Sequence, residues 1–217
     1  MNFSIRIALT PEPEQHQRLL DLQAVFAQAC NDLAPVVQQT RVWNRVALHH
    51  TAYKGLRERY PALGSQMVCN AIYSVSRACR LLFQTPGSPV HVSQLAGKTL
   101  PLLRFTDNCP VYFDRHTLSL KEGQASMFTL DGRMRFQLAL TSEQEDAFHN
   151  RKLQEIVLRR TGQQFELAFQ FGPLEAPDPA STPALAEPGA DEGWPMVPGP
   201  TRAPLIIPEY LRVEDPA

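Results

Sequence analysis

One strand-like segment stands alone at the N-terminus, and it limits the folds open to this chain more than any other feature. In Asn2–Leu9 the apolar residues Ile5, Ile7 and Leu9 recur at every second position, which is the period of a strand with one buried face. All other strand patterns follow residue 99, after a stretch with helical periodicity. A single strand needs hydrogen-bonding partners, so the chain must return to it. We therefore expect an α+β fold in which a sheet is interrupted by helices.

Three helices are expected in the interruption. Thr10-Pro11 gives a helix start, and apolar spacings of three and four extend the first helix to about Asp32, with Pro35 making its end irregular. The second helix fits Val46–Tyr60, and the third, along Ser65–Phe83, is the clearest. Its unbroken apolar stripe consists of Val68, Ile72, Val75, Cys79 and Leu82.

Strand patterns dominate after Pro86-Gly87. The segments concerned are Leu103–Phe105, Val111–Phe113, His116–Lys121, Ser126–Leu130, Arg133–Leu138, Leu153–Arg160 and Gln163–Phe171. Asp131-Gly132 is a strong hairpin signal, because a type I′ turn needs positive φ at both positions. A second hairpin is expected around Thr161-Gly162, and Ser142–Asn150 fits a short helix. We therefore expect a β-barrel of residues 1–10 and 100–172 with a helical insertion of residues 11–99.

The composition changes abruptly at Gly172. Eleven of the 45 residues from 173 to 217 are proline, which predicts a disordered tail, because such a segment buries too little apolar surface to offset the entropy of ordering it. Residues 1–172 carry 19 Lys and Arg against 14 Asp and Glu, whereas the tail carries 2 against 8. A mildly basic body before an acidic tail favours polyanion binding, with ordinary charge scatter as the alternative.

One part of the tail, Pro204–Leu211, is rich enough in apolar residues to dock on another surface. These residues are Leu205, Ile206, Ile207, Tyr210 and Leu211. The alternative, a few apolar side chains in a floppy segment, is the more common case.

Several classes of protein are disfavoured. The cysteines, Cys30, Cys69, Cys79 and Cys109, form no C-x-x-C pair, so neither a zinc ribbon nor a disulfide framework is indicated, and we expect reduced thiols. The N-terminus is too polar for a signal peptide, and no apolar run approaches the roughly 20 residues that span a bilayer, so we expect a soluble, cytoplasmic protein that contacts no membrane. The sequence also lacks a phosphate-binding glycine loop, a hydrolase elbow and H-E-x-x-H, and we expect no enzyme activity, cofactor or metal.

A series of short motifs runs through about residues 3–171. These are Leu9–Gln15, Ala29–Asn31, Val42–Asn44 with Leu48-His49, Tyr53 with Leu56-Arg57, Ser65–Met67 with Ala71-Ile72 and Val75, Tyr112–Arg115 with Leu118-Ser119, and Thr129–Arg133. In order and spacing the series resembles the N-terminal region of the TnpB (OrfB-type) proteins of bacterial transposons, relatives of the type V CRISPR effectors. No single motif is specific, and the resemblance depends on the ordered set.

The resemblance implies a wedge-like β-barrel with a helical recognition insertion, which agrees with the patterns above. It also implies structured, guide-like RNA as a partner, and double-stranded DNA beside a target as a second one. In that family cleavage belongs to a following RuvC-like domain that contains three acidic metal ligands and a zinc ribbon. At the point where its first catalytic strand would begin, this chain has Pro173–Asp178, without a strand pattern, so we expect a nuclease-deficient module.

Candidate contacts to nucleic acid lie first on the third helix, opposite its apolar stripe. Gln66, Asn70, Tyr73, Arg77 and Arg80 repeat the helical spacing there, and the resemblance adds Ser65. Amides can read base edges, a tyrosine can stack on a base, and arginines can bind phosphates. An ordinary solvated polar face is the alternative.

Two further groups are candidates. Around the second helix these are Trp43, Asn44, Arg45, His49 and Lys54, and on the strands they are Arg104, Lys121, Arg133 and Arg135. Trp43 either stacks on a base or packs in the core, and exposed strand faces are often basic without binding anything. His49 and His50 are adjacent on a helix, so they do not share a face as two metal ligands would.

Three functional hypotheses remain open. The leading one is a nucleic-acid-binding module. The second is half of a split effector, whose nuclease is a separate chain that docks on Leu205–Leu211. The third is a decayed transposon gene whose reading frame shifted after residue 172, so that the tail has no function.

Overall fold

The structure, a computed structural model, describes residues 3–172 and 205–215. The helices are α1 (Pro13–Thr40), α2 (Arg45–Arg59), α3 (Gly64–Gln84) and α4 (Ser142–Asn150). The strands are β1 (Phe3–Ala8), β2 (Leu102–Phe105), β3 (Val111–Phe113), β4 (Leu118–Lys121), β5 (Gln124–Thr129), β6 (Gly132–Gln137), β7 (Leu153–Thr161), β8 (Gln164–Phe171) and β9 (Leu211–Glu214). The predicted α+β class is confirmed.

The N-terminal strand pairs with a strand from beyond the helices, as predicted. β1 runs antiparallel to β8, from Phe3 opposite Phe171 to Ala8 opposite Glu166, in a sheet of order β1-β8-β7-β3. β8 is apolar along most of its length, and three of its phenylalanines, Phe165, Phe169 and Phe171, are fully buried. Closing the long loop through the helices costs conformational entropy, and this buried aromatic surface offsets it.

The predicted barrel is not closed in the described part of the chain. Besides the four-stranded sheet there are a meander of β4, β5 and β6 and a ribbon of β2 and β9, and no ladder joins the three. β3 is only three residues long and leads into a turn in which Asp114 accepts hydrogen bonds from the amides of His116 and Thr117. The strand therefore ends before a second neighbour can pair with it.

The first helix begins and ends later than predicted. Its N-cap is Glu12, not Thr10, and it continues through Pro35 to Thr40. An interior proline costs ~3 kcal/mol, but Leu33 and Val37 on either side are buried, and each such side chain contributes about 1.5–3 kcal/mol. Packing around the proline therefore outweighs the lost hydrogen bond.

The third helix and the hairpins match the sequence predictions. All five residues of the predicted stripe of α3 are buried, and α3 packs between α1, α2 and β3. Gly132 has φ of 91° at the β5–β6 turn, and Gly162 has φ of 59° at the β7–β8 turn. The hairpin at Asp131-Gly132 forms as predicted, but its type I′ geometry is wrong, because φ is positive at Gly132 and not at Asp131. The remaining elements, including α2 and α4, agree with their predicted bounds to within about two residues, the usual uncertainty of helix ends.

The predicted disorder of the tail is wrong for residues 205–215. β9 pairs with β2, Leu211 is buried opposite Phe105, and Thr106 donates its amide to the Tyr210 carbonyl at 3.0 Å. Leu205, Ile207 and Tyr210 also pack against the core. The segment therefore docks on its own chain, because apolar residues that alternate along it meet an open strand edge. The rest of the predicted tail, residues 173–204 and 216–217, lies outside the described residues.

Candidate nucleic-acid interface

Two cavities lie next to each other where the start of α2 faces α3, from Asn70 to the C-terminal end of that helix. The first, which we name the Ser76 cavity, has a volume of about 120 Å³ and is lined by Trp43, Asn44, Arg45, Ser76, Arg80 and Gln84. The second, the Glu155 cavity, has a volume of about 220 Å³ and is lined by Arg45, Asn70, Tyr73, Tyr112, Phe113, Asp114, Gln154 and Glu155. Arg45 lines both, so the two cavities are neighbours, and we refer to them together as the groove.

The loop before α2 is fixed at both of its predicted site residues. The Asn44 side chain caps the helix by accepting hydrogen bonds from the amides of Val46 and Ala47 at 2.9 and 3.2 Å. The Trp43 ring is half-buried, with its centroid 5.5 Å from that of Phe83. The tryptophan therefore packs on the core with one side and lines the Ser76 cavity with the other.

Arg45 follows the cap as the first residue of α2. Its guanidinium carbon lies 5.3 Å from the centroid of the Tyr73 ring, in a cation–π arrangement that holds the exposed arginine over α3. Arg80 lines the same groove one turn of α3 beyond Ser76. The groove thus carries two guanidinium groups, which bind phosphate well because their donors match its oxygens.

Tyr73 and Arg77 both contact one carboxylate oxygen of Glu155. The Tyr73 hydroxyl donates to Oε1 at 2.9 Å, and Arg77 forms an ion pair with the same atom. Burial, and then the Glu155 charge, raise the pKa of the Tyr73 phenol above its ordinary value, so it remains a donor at neutral pH. The Arg77 guanidinium also lies 5.5 Å from the centroid of the Tyr112 ring. These contacts fix the position of Glu155 at the floor of its cavity.

A β-bulge brings two consecutive residues of β7 to the Glu155 cavity. In a regular strand Gln154 and Glu155 would point to opposite faces of the sheet. The pairing with β8 shifts register between Leu153 and Glu155, so Gln154 is the extra residue, and both side chains line the cavity. Bulges commonly re-aim side chains in this way near functional sites.

Three of the predicted contact residues have side chains that form hydrogen bonds or an ion pair within the chain. Asn70 is buried, and its amide donates to the Tyr112 carbonyl at 2.9 Å, which ties α3 to β3. Arg104 forms an ion pair with Glu214 of β9 at 3.0 Å. Arg133 donates to the carbonyls of Ser126 and His116 at 3.0 and 2.7 Å. Each of these three side chains therefore already has a partner within the chain, and their contact with nucleic acid stays a prediction.

The other predicted residues are spread over the surface. Ser65 and Gln66 lie in the first turn of α3, Lys54 is exposed on α2, and Lys121 and Arg135 are exposed on the β4–β6 meander. None of these five lines either cavity. Of the predicted set, Trp43, Asn44, Asn70, Tyr73 and Arg80 line the groove, and Arg77 contacts Glu155, which lines it too.

Several residues that line the groove were not selected as candidates from the sequence. Arg45 was noted but not selected, although its place directly after an Asn cap was a usable signal. Gln154 and Glu155 depend on the bulge, and Asp114 on the turn after β3, which no local pattern reveals. Ser76 falls between the polar face and the apolar stripe of α3, so helical periodicity alone did not assign it to either.

Comparisons with known proteins add no relationship: no protein-family model matches this sequence, and no curated protein matches it. Within residues 3–172 and 205–215, no helix has the length and apolar character needed to cross a membrane. Across the same residues, the structure groups no three His, Cys, Asp or Glu side chains where they could hold a metal ion.

Proposed function

We propose that this chain is a nucleic-acid-binding module that holds structured RNA in the groove between α2 and α3, without nuclease activity of its own. The observation that carries the proposal is the convergence of Arg45 and Arg80 with the rings of Trp43 and Tyr73. Guanidinium groups contact phosphates, and aromatic rings stack on unpaired bases, so this combination is typical of RNA recognition.

The relation to TnpB-type proteins is part of the same proposal. It is supported by the ordered motif series and by the order of elements, in which β1 pairs with β8 across the three helices. The described strands form open sheets, so the proposal concerns the recognition function and a wedge-like arrangement, not barrel closure. Double-stranded DNA beside a target is a second ligand under this proposal.

The docking of residues 205–215 counts against the two competing hypotheses. Leu205 and Leu211 pack on the chain's own core, so they are not exposed as a docking peptide for a separate nuclease. We do not expect a segment translated out of frame to form specific contacts with the body, whereas here a leucine lies opposite Phe105 and a glutamate pairs with Arg104. Both contacts favour a tail that was selected together with the body.

The binding experiment compares the RNA encoded beside this chain's gene with an unrelated structured RNA of equal length. We expect tighter binding of the former, with affinity that falls as salt rises. In the double variant Arg45→Ala/Arg80→Ala the slope of log affinity against log salt should decrease by about 0.7–0.9 for each lost phosphate contact. Arg6→Ala is the matched control, because Arg6 is exposed on β1, at the opposite edge of the sheet from β3. Equal affinity for the two RNAs would refute the proposal.

The absence of nuclease activity has its own test. The purified chain is incubated with labelled RNA and DNA in the presence of Mg²⁺ or Mn²⁺, and we expect no cleavage. Metal-dependent cutting that follows the monomer peak in size-exclusion chromatography would contradict this part of the proposal while leaving RNA binding intact.

A further inference from the structure

We propose that the groove is a subsite for one unpaired nucleotide, with the phosphate in the Ser76 cavity and a base that carries an exocyclic amino group in the Glu155 cavity. This inference rests on the proposed function and gives it a defined ligand chemistry. The two cavities on either side of Arg45 differ in polarity: guanidinium groups line the first, and two carboxylates line the second.

The Ser76 cavity is suited to an anion. Its lining includes two guanidinium groups, from Arg45 and Arg80, and the side-chain amide of Gln84, and among the residues that the structure describes no acidic one lines it. Ser76 is 1% exposed, and its Oγ has no hydrogen-bond partner among the described residues. A buried hydroxyl normally has a partner, and a phosphate oxygen next to two arginines would accept a hydrogen bond from it.

The Glu155 cavity is suited to a hydrogen-bond donor. Oε1 of Glu155 is occupied by Tyr73 and Arg77, but Oε2 is buried and has no partner among the described residues. A carboxylate only accepts hydrogen bonds, and Asp114 adds a second carboxylate to the lining. Adenine, cytosine and guanine carry an amino group that can donate to such an oxygen, whereas uracil carries none.

Arg45 connects the two halves. It lines both cavities and lies over the Tyr73 ring, so a nucleotide whose phosphate contacts Arg45 from the Ser76 cavity has its base beside Tyr73 and Glu155. The bulge at Gln154 supports this assignment, because it turns the Gln154 side chain, which carries an amide, toward the Glu155 cavity, where the base would lie. The phosphate supplies affinity and the amino group supplies the choice of base.

The test measures the binding of cytidine, CMP and UMP to the full chain by the fluorescence of Trp43. The chain has two tryptophans, and a Trp194→Phe background leaves Trp43, in the Ser76 cavity, as the only one. We expect CMP to bind about fivefold more tightly than UMP, which is the effect of one additional hydrogen bond, and more tightly than cytidine. Equal binding of all three ligands, or binding of none, would overturn the inference.

Two variants separate the halves of the subsite. Ser76→Ala should reduce the preference for CMP over cytidine about fivefold and leave the preference for CMP over UMP unchanged. Glu155→Gln keeps an oxygen for Tyr73 and Arg77 but replaces Oε2 by an amide, so it should abolish the preference for CMP over UMP. Thermal unfolding followed by circular dichroism shows whether each variant is folded. If Glu155→Gln is not folded, Asp114→Asn, which removes the other carboxylate of the Glu155 cavity, takes its place.

The same variants distinguish this inference from the proposed function. One outcome is that the wild-type chain binds the RNA, and that the Ser76→Ala and Glu155→Gln variants bind both the RNA and the nucleotides as tightly as the wild type does. In that case the nucleotide subsite is refuted and the RNA-binding proposal stands. If CMP is selected as described but no RNA is preferred, the RNA-binding proposal fails, and the groove is a site for nucleotides alone.

Discussion

Replacement of Leu211 by alanine tests whether the C-terminal segment belongs to the folded body. Leu211 is 4% exposed and lies opposite Phe105 in the β2–β9 ribbon, whereas Ile206, five residues earlier, is 86% exposed. Leucine-to-alanine changes in cores cost about 2–5 kcal/mol. A two-stranded ribbon can collapse around the lost side chain, so we expect the lower part of that range, about 2–3 kcal/mol.

The assay is urea unfolding followed by circular dichroism at 222 nm, with a thermal melt in parallel. At about 2–4 °C per kcal/mol for a chain of this size, Leu211→Ala should lower the Tm by about 5–10 °C. Ile206→Ala removes a similar amount of apolar surface from an exposed position and should stay within about 0.5 kcal/mol of the wild type. If the two variants have the same free energy of unfolding, residues 205–215 do not unfold with the body, and the reasoning from the ribbon is refuted.

Two further predictions concern titration and reactivity. Burial, together with the 2.5 Å hydrogen bond to Asp32, raises the pKa of Tyr60 from 10.0 to about 12. The contribution of this phenol to the stability of the fold is therefore complete below pH 10 and is lost as the pH rises toward 12. ¹³Cζ-tyrosine NMR should show the late titration, and Asp32→Asn should shift it to lower pH. Among the four cysteines only Cys69 is partly exposed, and burial raises the pKa of Cys79 to about 12. A thiol reagent should therefore modify Cys69 first and the other three only when the chain unfolds. Reaction of all four thiols at one rate would contradict this packing.

The elements that the sequence predicted well are those fixed by local chemistry. The stripe of α3 repeats every three or four residues over the whole helix, so its buried face needs no knowledge of the partner. Asp131-Gly132 marks the β5–β6 turn because Gly132 adopts its φ of 91° without steric cost. The pairing of β1 with a distant strand also followed, since an isolated strand must be paired.

The elements that were predicted wrongly are those decided by tertiary contacts. Pro35 signals a helix end, yet α1 continues because Gln38 donates to the Leu100 carbonyl and its apolar neighbours are buried. β9 is a four-residue strand inside a proline-rich tail, and only the open edge of β2 makes it a strand. Barrel closure depends on strand lengths and shear, which short alternating segments do not specify.

The candidate site was about half predictable for the same reason. Helical spacing correctly places Asn70, Tyr73, Arg77 and Arg80 on one face of α3. The spacing carries no information about what covers that face, so it could not separate a ligand contact from an internal hydrogen bond. Asn70 was therefore selected together with Arg80, although only the first is buried.

What covers the polar face of α3 also determines where a ligand can bind. At its start Asn70 is buried under β3, and its amide is committed to the Tyr112 carbonyl. One turn later Tyr73 and Arg77 are half-buried, with Glu155 of β7 as their common partner, and after another turn Arg80 is exposed. A ligand at the Asn70 end would have to separate α3 from the sheet, which leaves a buried amide and a carbonyl unpaired at about 1–3 kcal/mol each. A ligand between Tyr73 and Arg80 needs no such separation, so binding should be confined to the part of the helix from Tyr73 onward, where α2 contributes Arg45.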